Sequence, residues 1–500
     1  FHRLAIVDGF CGMQPMRLCK YPNLFLLCNG EIYNFKEHDF DFATKCDVEI
    51  ISHLYENGGA ENVASNLDGV FAFCLLDVGR RRILIGRDPY GVRPLFRLRG
   101  ENGELSVCSE SKVYLLISCE KFRLFLLCFR ITKQFPGVWN LEPFPPALSK
   151  SDVHANIRKL LSTAVQKRLM AERQIGCLLS GGLDSSLISA LLVKLAKSEN
   201  LPYKIQSFAI GMGDSPDIVA ARQVADFIGT EHHEIIFTAK DVAEVLDDVI
   251  YSLETFDITT IRASIGMYLI ARYIKRNTET TVLFSGEGAD ELAQGYIYFR
   301  DAPSSKDAHE ESLRLLKDIY LYDGLRADRT TSAHSLELRV PFLDLQFTSY
   351  YLSLDPESRQ PQGKLNKHGQ SALKYYGVEK HLLRSAFDDT NLLPKNILWR
   401  HKEAFSDGVA SIKKSLFQII QDIVEDRVQD EELEKADVKY PHCTPKTKEA
   451  YYYRETFEKH YAGQAESFTP YYWMPRWVKG ITDPSECTTL ALHQIKITLL

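Results

Sequence analysis

The chain has 500 residues, of which 45% are apolar and 25% charged, with a net charge of -6 and a pI near 6.2. Such a composition suits a soluble globular protein of two to four domains, at roughly 100–200 residues per domain, and excludes the basic patches of nucleic-acid and membrane-surface binders. Eleven scattered cysteines with no C-x-x-C pair exclude a disulfide framework and the usual zinc spacing, and fit a reducing compartment, the cytosol.

The chain opens on Phe1 rather than Met, which leads to the expectation of a fragment or processed product. Residues 1–112 carry short β-type runs at 24–28, 70–77 and 82–86, separated by Gly, Asn, Asp and Pro, as in an antiparallel sheet structure. Tyr55-Glu-Asn-Gly-Gly59 is expected to end a short helix. The apolar run 122–131 (FRLFLLCFRI) is too short for a bilayer, which takes about 20 residues, and Arg123 and Arg130 interrupt it. It reads as a buried strand or core helix. The Pro- and Ser-rich stretch 136–151 reads as a linker.

A helix is predicted over 152–170, from Ile157, Leu160, Leu161, Ala164, Val165 and Leu169 at helical spacing. Strands at 175–179, 205–210, 233–237 and 281–284 then alternate with helices at 185–196 and 217–228. That alternation predicts a parallel sheet wrapped by helices. From about 305 the chain is mostly helical, charged and Tyr-rich.

Two glycine-rich turns carry the chemistry. Ser180-Gly-Gly-Leu-Asp-Ser-Ser186 closes a strand and opens a helix. Backbone N–H groups, serine hydroxyls and a helix N-terminus then surround one volume suited to phosphate or pyrophosphate, and the glycines let the backbone approach it. A bare phosphate would repel Asp184, so its presence implies a bridging Mg²⁺. An ordinary tight βα turn is the plain alternative, and seven specified positions at one junction argue against it. Neither a Walker A nor a G-x-G-x-x-G pattern is present. The second turn, Ser285-Gly-Glu-Gly-Ala-Asp-Glu291, also follows a strand, and two such turns converge on one crevice of a parallel sheet. The plain reading of its three carboxylates, a solvated acidic turn, holds in roughly one case in five.

The first turn resembles the pyrophosphate-binding motif of N-type ATP pyrophosphatases. Together with Leu253-Glu-Thr-Phe-Asp-Ile-Thr-Thr-Ile-Arg-Ala-Ser264, Arg329-Thr-Thr-Ser-Ala-His334, Leu338-Arg-Val-Pro-Phe-Leu-Asp344, Lys402-Glu-Ala-Phe-Ser-Asp-Gly408 and the Tyr-rich region 450–477, the pair resembles the animal-type, glutamine-hydrolysing asparagine synthetases. The resemblance implies ATP and Mg²⁺, with aspartate converted through β-aspartyl-AMP to asparagine, AMP and pyrophosphate. It implies that Leu178 and Ile210 contact adenine and that Ser180, Gly181, Gly182, Asp184, Ser185 and Ser186 hold pyrophosphate. Ser285 and Gly286 touch the nucleotide, and Asp184 and Asp290 attend the metal. Thr259, Arg262, Asp290 and Glu291 match the aspartate-binding region. Arg262, Lys402 and Glu287 are the catalytic set, Lys402 neutralising phosphate charge and Glu287 acting on the acyl-adenylate step. Ala289 replaces the usual serine and keeps the turn.

The first half resembles the N-terminal-nucleophile glutaminase domain of the same family, in Arg3-Leu-Ala-Ile-Val7, Asn29-Gly-Glu-Ile-Tyr-Asn34, Asp47 and Gly86-Arg-Asp-Pro-Tyr-Gly-Val-Arg-Pro94. The implied glutamine-binding set is Arg3, Leu4, Ala5, Ile6, Val7, Asn29, Gly30, Glu31 and Asp47, with Arg3 and Asp47 taking the charged ends of glutamine and Asn29 and Gly30 forming an oxyanion hole. Taken alone, Asn-Gly reads as a type I′ hairpin turn. The family nucleophile is a cysteine directly after the initiator Met, its own α-amine the base. The chain as it stands is therefore expected to be truncated and to use ammonia, where the complete enzyme takes nitrogen from glutamine. Segment 113–135 departs from the family pattern.

The resulting expectation is two domains: an incomplete class II glutamine amidotransferase sandwich at 1–140, and at 150–500 a parallel α/β synthetase domain of the ATP-pyrophosphatase type with a helical C-terminal part. No nucleic-acid or membrane partner is expected, and a homodimer fits by family analogy. The alternatives are a β-lactam synthetase-like amide-forming enzyme and a catalytically inactive binding partner. Asp184, Arg262, Glu287, Asp290 and Lys402 argue against the latter.

Overall fold

The computed structural model describes residues 4–9, 11–99, 104–115, 123–126, 152–213, 215–361, 378–402, 409 and 415–478. In the first half, β1 (Leu24–Ile32), β2 (Gly69–Asp77) and β3 (Arg82–Arg87) form an antiparallel sheet in that order, with Leu24 opposite Asp77 and Ile32 opposite Gly69. Alternation explains β1: Leu24, Leu26 and Cys28 face inward. They join a core with Ile50, Ile51 and Leu54 of helix α1 (Ile50–Asn66) and Phe71, Phe73 and Leu75 of β2.

Strand β1 runs on past the expected run 24–28 through Asn29, Gly30 and Glu31, so the Asn-Gly pair lies within a strand and not at the hairpin turn it would make taken alone. As expected, Gly58 (φ -166, ψ 15) and Gly59 (φ 68, ψ -158) leave the helical region and end the first helical segment of α1, and a second segment follows to Asn66. A second antiparallel sheet has β4 (Phe96–Arg99) between β5 (Leu105–Cys108) and β6 (Arg123–Leu126). Strand β6 falls in the apolar run 122–131, whose remainder lies outside the described residues, as does the expected linker.

The second half is built on a five-stranded parallel sheet of β7 (Gln174–Leu178), β8 (Gln206–Gly211), β9 (Glu231–Ile236), β10 (Thr280–Phe284) and β11 (Glu337–Arg339). Its order is β11-β10-β7-β8-β9. The chain fills one side from β7 to β9, then returns to fill the other from β10. A topological switch point therefore falls between β7 and β10, where open α/β sheets bind ligands. Its helices include α2 (Val153–Lys167), α3 (Leu183–Ser198), α4 (Pro216–Ile228), α5 (Ala239–Leu253), α6 (Ile258–Asn277), α7 (Asp323–Ser332) and α8 (Lys448–Tyr461).

Local signals account for their ends. Asp152 caps α2, Ser215 caps α4 ahead of Pro216, and Thr238 and Asp241 form a capping box on α5. Asp257 caps α6, its carboxylate also accepting a bond from the backbone of Trp473 at 2.8 Å. The three-residue β11 has no sequence signal of its own; its pairing with β10 creates it. No helix among the described residues is long and apolar enough to cross a membrane.

Candidate active site

The two glycine-rich turns leave the C-terminal ends of the neighbouring strands β7 and β10. They meet backbone to backbone. A Cβ on Gly286 would lie 2.8 Å from both the Cβ and the carbonyl carbon of Asp184, so only glycine allows this approach. Gly181 is left-handed (φ 72), and a Cβ there would lie 2.5 Å from Ala220. The Ser180 and Ser185 hydroxyls are 3.0 Å apart, and the Ser180 N–H donates to Ser185 Oγ at 3.2 Å. The turn is thus preformed at the N-terminus of α3.

A cavity of about 320 Å³ opens over both turns. Leu178, Phe208, Ala209, Ile210 and Ile270 give it an apolar wall at the ends of β7 and β8. Ser180, Gly182, Asp184, Ser185, Ser285 and Gly286 form its floor, and Thr259, Arg262, Glu287, Asp290, Glu291 and Lys402 also line it. The sequence-derived nucleotide and aspartate sets are therefore collected in one place, except Gly181 and Ser186. These two do not line the cavity: Gly181 packs on α4, and Ser186 is fully buried.

The charges are paired. Buried Lys380 bridges the turns, its ammonium bonding Asp184 Oδ2 and lying 2.5 Å from Asp290 Oδ1. Lys402 lies 2.5 Å from the other oxygen, Asp290 Oδ2. Burial pushes the Asp290 carboxyl up, but Lys380 and Lys402 outweigh it and hold the group well below the usual carboxylate range. Burial lowers the Lys402 ammonium, and Asp290 and Asp184 reverse that and raise it. Gly295 closes over the pair, since a Cβ there would lie 2.2 Å from Lys380 Cε.

Asp184 and Asp290 reach one ammonium, so one cation spans both. Asp184 Oδ1 is buried and takes no hydrogen bond among the described residues. Mg²⁺ keeps several waters and binds one or two carboxylates alongside substrate phosphates, and this pair fits that donor set.

Thr259 and Arg262, two of the residues expected to bind aspartate, sit at the start of α6. Thr259 Oγ1 is buried without a partner among the described residues, leaving a hydroxyl for a ligand. Arg262 is clamped from α8, donating through Nε to Glu449 Oε1 at 3.1 Å and through a terminal nitrogen to Oε2 at 2.7 Å. Glu449 is itself held by Tyr453 and Gln421.

Arg326 of α7 donates to Glu287 Oε2 at 2.9 Å and lies 2.5 Å from Asp323 Oδ1. Tyr296 donates to Glu291 at 2.5 Å and to Asp323 at 3.2 Å. Burial raises the Glu287 carboxyl, with Arg326 lowering it and Asp323 and Asp290 raising it, for a net rise. Burial, then Asp323 and Asp290, push Glu291 well above its usual range.

In the first half, Arg3 lies outside the described residues. Leu4–Val7 runs past the second half, Ala5 and Ile6 accepting bonds from Arg173 and from the Glu172 backbone. Asp8 accepts from the Lys45 backbone at 2.8 Å, two residues before Asp47. Asp47 is buried and accepts from the Ile32 N–H at 2.7 Å; burial lifts its carboxyl to about 6 against that bond. Asn29 donates to Ser109 Oγ at 3.3 Å. Gly30 has φ 135, and a Cβ there would fall 2.0 Å from the Val70 carbonyl oxygen. Glu31 is buried against Arg93 at 3.4 Å, with its carboxyl raised well above the usual range by burial and then by Glu337.

Comparison with known proteins fits both halves. Residues 156–309 and 300–481 match the family model described as asparagine synthase, and residues 1–124 match that of a glutamine amidotransferase domain. The chain is 53% identical to the glutamine-hydrolysing asparagine synthetase of Gallus gallus, over 98% of this chain and 90% of that protein. For those of Bos taurus and Homo sapiens the identities are 52% and 51%, with the same coverage.

The chain belongs to the asparagine synthase family.

Several residues that line or brace the cavity escaped sequence reasoning. Lys380 lies nearly 200 positions from Asp184 and is left-handed (φ 57), which no local pattern announces for a lysine. Glu449 sits 187 positions from Arg262 in a charged helix. Tyr296 was within reach of pattern reading, five residues after Glu291. Asp323 and Arg326 share one face of α7 at a spacing of three, an ordinary helical ion pair in sequence. Of Lys402-Glu-Ala-Phe-Ser-Asp-Gly408, the described residues include only Lys402.

Proposed function

We propose that the chain catalyses ATP-dependent formation of asparagine from aspartate. The observation that carries this is the abutment of the two glycine-rich turns at the switch point, with Lys380 and Lys402 spanning Asp184 and Asp290. The apolar wall at Leu178 and Ile210 takes adenine. The Ser180–Ser185 turn takes pyrophosphate at the α3 N-terminus. Asp184 and Asp290 would hold Mg²⁺, which when bound would offset phosphate charge. Thr259 and Arg262 orient aspartate, with Glu449 keeping the guanidinium in register.

The β-carboxylate of aspartate attacks the α-phosphorus and pyrophosphate leaves. Lys402 and Lys380 meet the charge that develops on the departing phosphates. Ammonia then attacks the acyl carbon, Glu287 takes the proton, and AMP leaves with the electron pair of its C–O bond. In the first half, Arg3 to Val7, Asn29, Gly30, Glu31 and Asp47 serve glutamine. The domain boundary lies between 140 and 150. The free cysteines among the described residues support a reducing compartment such as the cytosol. Family resemblance alone supports a homodimer.

The test is ATP–pyrophosphate exchange with and without aspartate, followed by an asparagine assay with ammonium chloride. Exchange that requires aspartate and Mg²⁺, and yields asparagine, is expected. Exchange indifferent to aspartate would point to another amide-forming substrate, and none at all to a binding protein.

A further inference from the structure

We propose that Arg326 is the positioning residue that aims and primes Glu287 for the amide-forming half of the reaction. The inference rests on the reading of Glu287 given above and extends it to a residue no motif includes. The turn carrying Glu287 is short and bends at left-handed Gly288 (φ 89). Its backbone N–H reaches Ser285 Oγ at 3.4 Å, which fixes the turn but not the carboxylate. Among the described residues, the single hydrogen bond to that carboxylate is the one from Arg326, to Oε2 at 2.9 Å. The other oxygen, Oε1, takes none.

Arg326 is held independently of Glu287. It is 7% exposed, on α7, one turn after Asp323, whose carboxylate lies 2.5 Å from the same guanidinium nitrogen. Its other terminal nitrogen lies 2.9 Å from the Met267 sulfur of α6. The guanidinium is thus a fixed post between two helices, and Glu287 leans on it.

Two consequences follow. The charged groups facing Glu287 are Arg326, Asp323, Asp290 and Lys402. Lys402 already serves Asp290, so Arg326 is the cation that opposes the rise which burial and two neighbouring carboxylates impose on the Glu287 carboxyl. By engaging only Oε2, it also leaves Oε1 for a proton. When ammonia attacks the β-carbonyl carbon of the adenylate, a C–N bond forms. The nitrogen of the tetrahedral species gives one proton to Glu287. The C–O bond to AMP then breaks, with its electron pair leaving on the phosphate. Adenylation places no such demand on Glu287. Loss of Arg326 should therefore separate the two partial reactions.

The experiment compares Arg326→Gln, Arg326→Lys and Glu287→Gln with the parent in aspartate-dependent ATP–pyrophosphate exchange and in asparagine formation from ammonium chloride, across pH. In Arg326→Gln, asparagine formation should fall on the order of 10²-fold further than exchange. Its acid limb should also move to higher pH, because Glu287 without its cation keeps its proton longer. Arg326→Lys, which retains the charge, should recover much of the loss and return the limb toward its parental position. Equal falls in both partial reactions, or no fall, would overturn the proposal. If Arg326→Gln does not fold by its melting curve, the charge-free Arg326→Met takes its place with the same expected partition and the same shift of the acid limb, and an unmoved limb with unchanged partition in that variant counts against the proposal. Asparagine formation at the parental rate by Glu287→Gln would instead overturn the reading of Glu287 itself.

Discussion

At the scale of single residues, the cavity works by pairing its buried charges in small networks and leaving a few atoms unpaired. Among the described residues, Asp184 keeps one unbonded oxygen and Thr259 an unbonded hydroxyl. Asp184→Asn removes the charge that complements a cation. We expect aspartate-dependent exchange to fall on the order of 10²–10³-fold, comparable to deleting one key stabilising group, with the loss deepening as Mg²⁺ is lowered. Unchanged exchange at every Mg²⁺ concentration would exclude a metal role. Glu287 must be ionised to accept a proton, and burial raises its carboxyl. Activity with ammonium should therefore rise with pH through an acid limb above the ordinary glutamate value of about 4.3. In Glu287→Gln that limb should vanish along with most of the asparagine, while nucleotide binding persists by calorimetry.

At the scale of elements, the parallel sheet was legible because β7, β8 and β10 are short apolar runs, each ending in turn residues and followed by a helical period. Both glycine-rich turns were legible because their pattern is local, a few residues around the glycines. What could not be read is what tertiary contact creates: the continuation of β1 through Asn29-Gly30, strand β11, and the ties from Lys380 and Glu449. Gly286→Ala tests the abutment of the turns. Its methyl would meet Asp184 at 2.8 Å, so ATP affinity should drop tenfold or more, about 1.4 kcal/mol, with a smaller change in melting temperature. Asp257 joins the start of α6 to Trp473, accepting from Thr260 and Trp473, each at 2.8 Å. Burial lifts its carboxyl from 3.8 to about 6 against those bonds. Between about pH 4 and 6 the folded chain then holds a proton that the unfolded chain releases, so the stability this group adds is complete at low pH and decays through about 6. Denaturant titrations of Asp257→Ala should show a larger deficit at pH 4.5 than at pH 7.5, by on the order of 1–3 kcal/mol. A deficit that grows with pH would contradict the assignment.

At the scale of the whole molecule, the halves meet through buried ion pairs and through a shared apolar core that takes in Tyr33, Val70, Tyr90, Val92 and Phe96 of the first half. Arg93 of the first half lies 3.0 Å from Asp328 and 3.4 Å from Glu31, and donates to the Leu338 carbonyl at 3.3 Å. Arg93→Ala strands carboxylates without their cation. It should cost about 3–5 kcal/mol in denaturant unfolding, or split the transition in two if the halves melt separately. A second clasp runs the other way. Glu254, left-handed (φ 59) at the end of α5, accepts from the backbone N–H of Ser111 at 3.1 Å and of Lys112 at 2.9 Å, and is paired with Arg329 at 3.2 Å. These two amide protons belong to one half and are covered by a carboxylate of the other. Their exchange with heavy water requires this contact between the halves to open. The Ser111 and Lys112 amides are thus a built-in clock for opening of that joint, readable by mass or magnetic resonance, and one that ligands in the cavity would slow only by strengthening the joint itself.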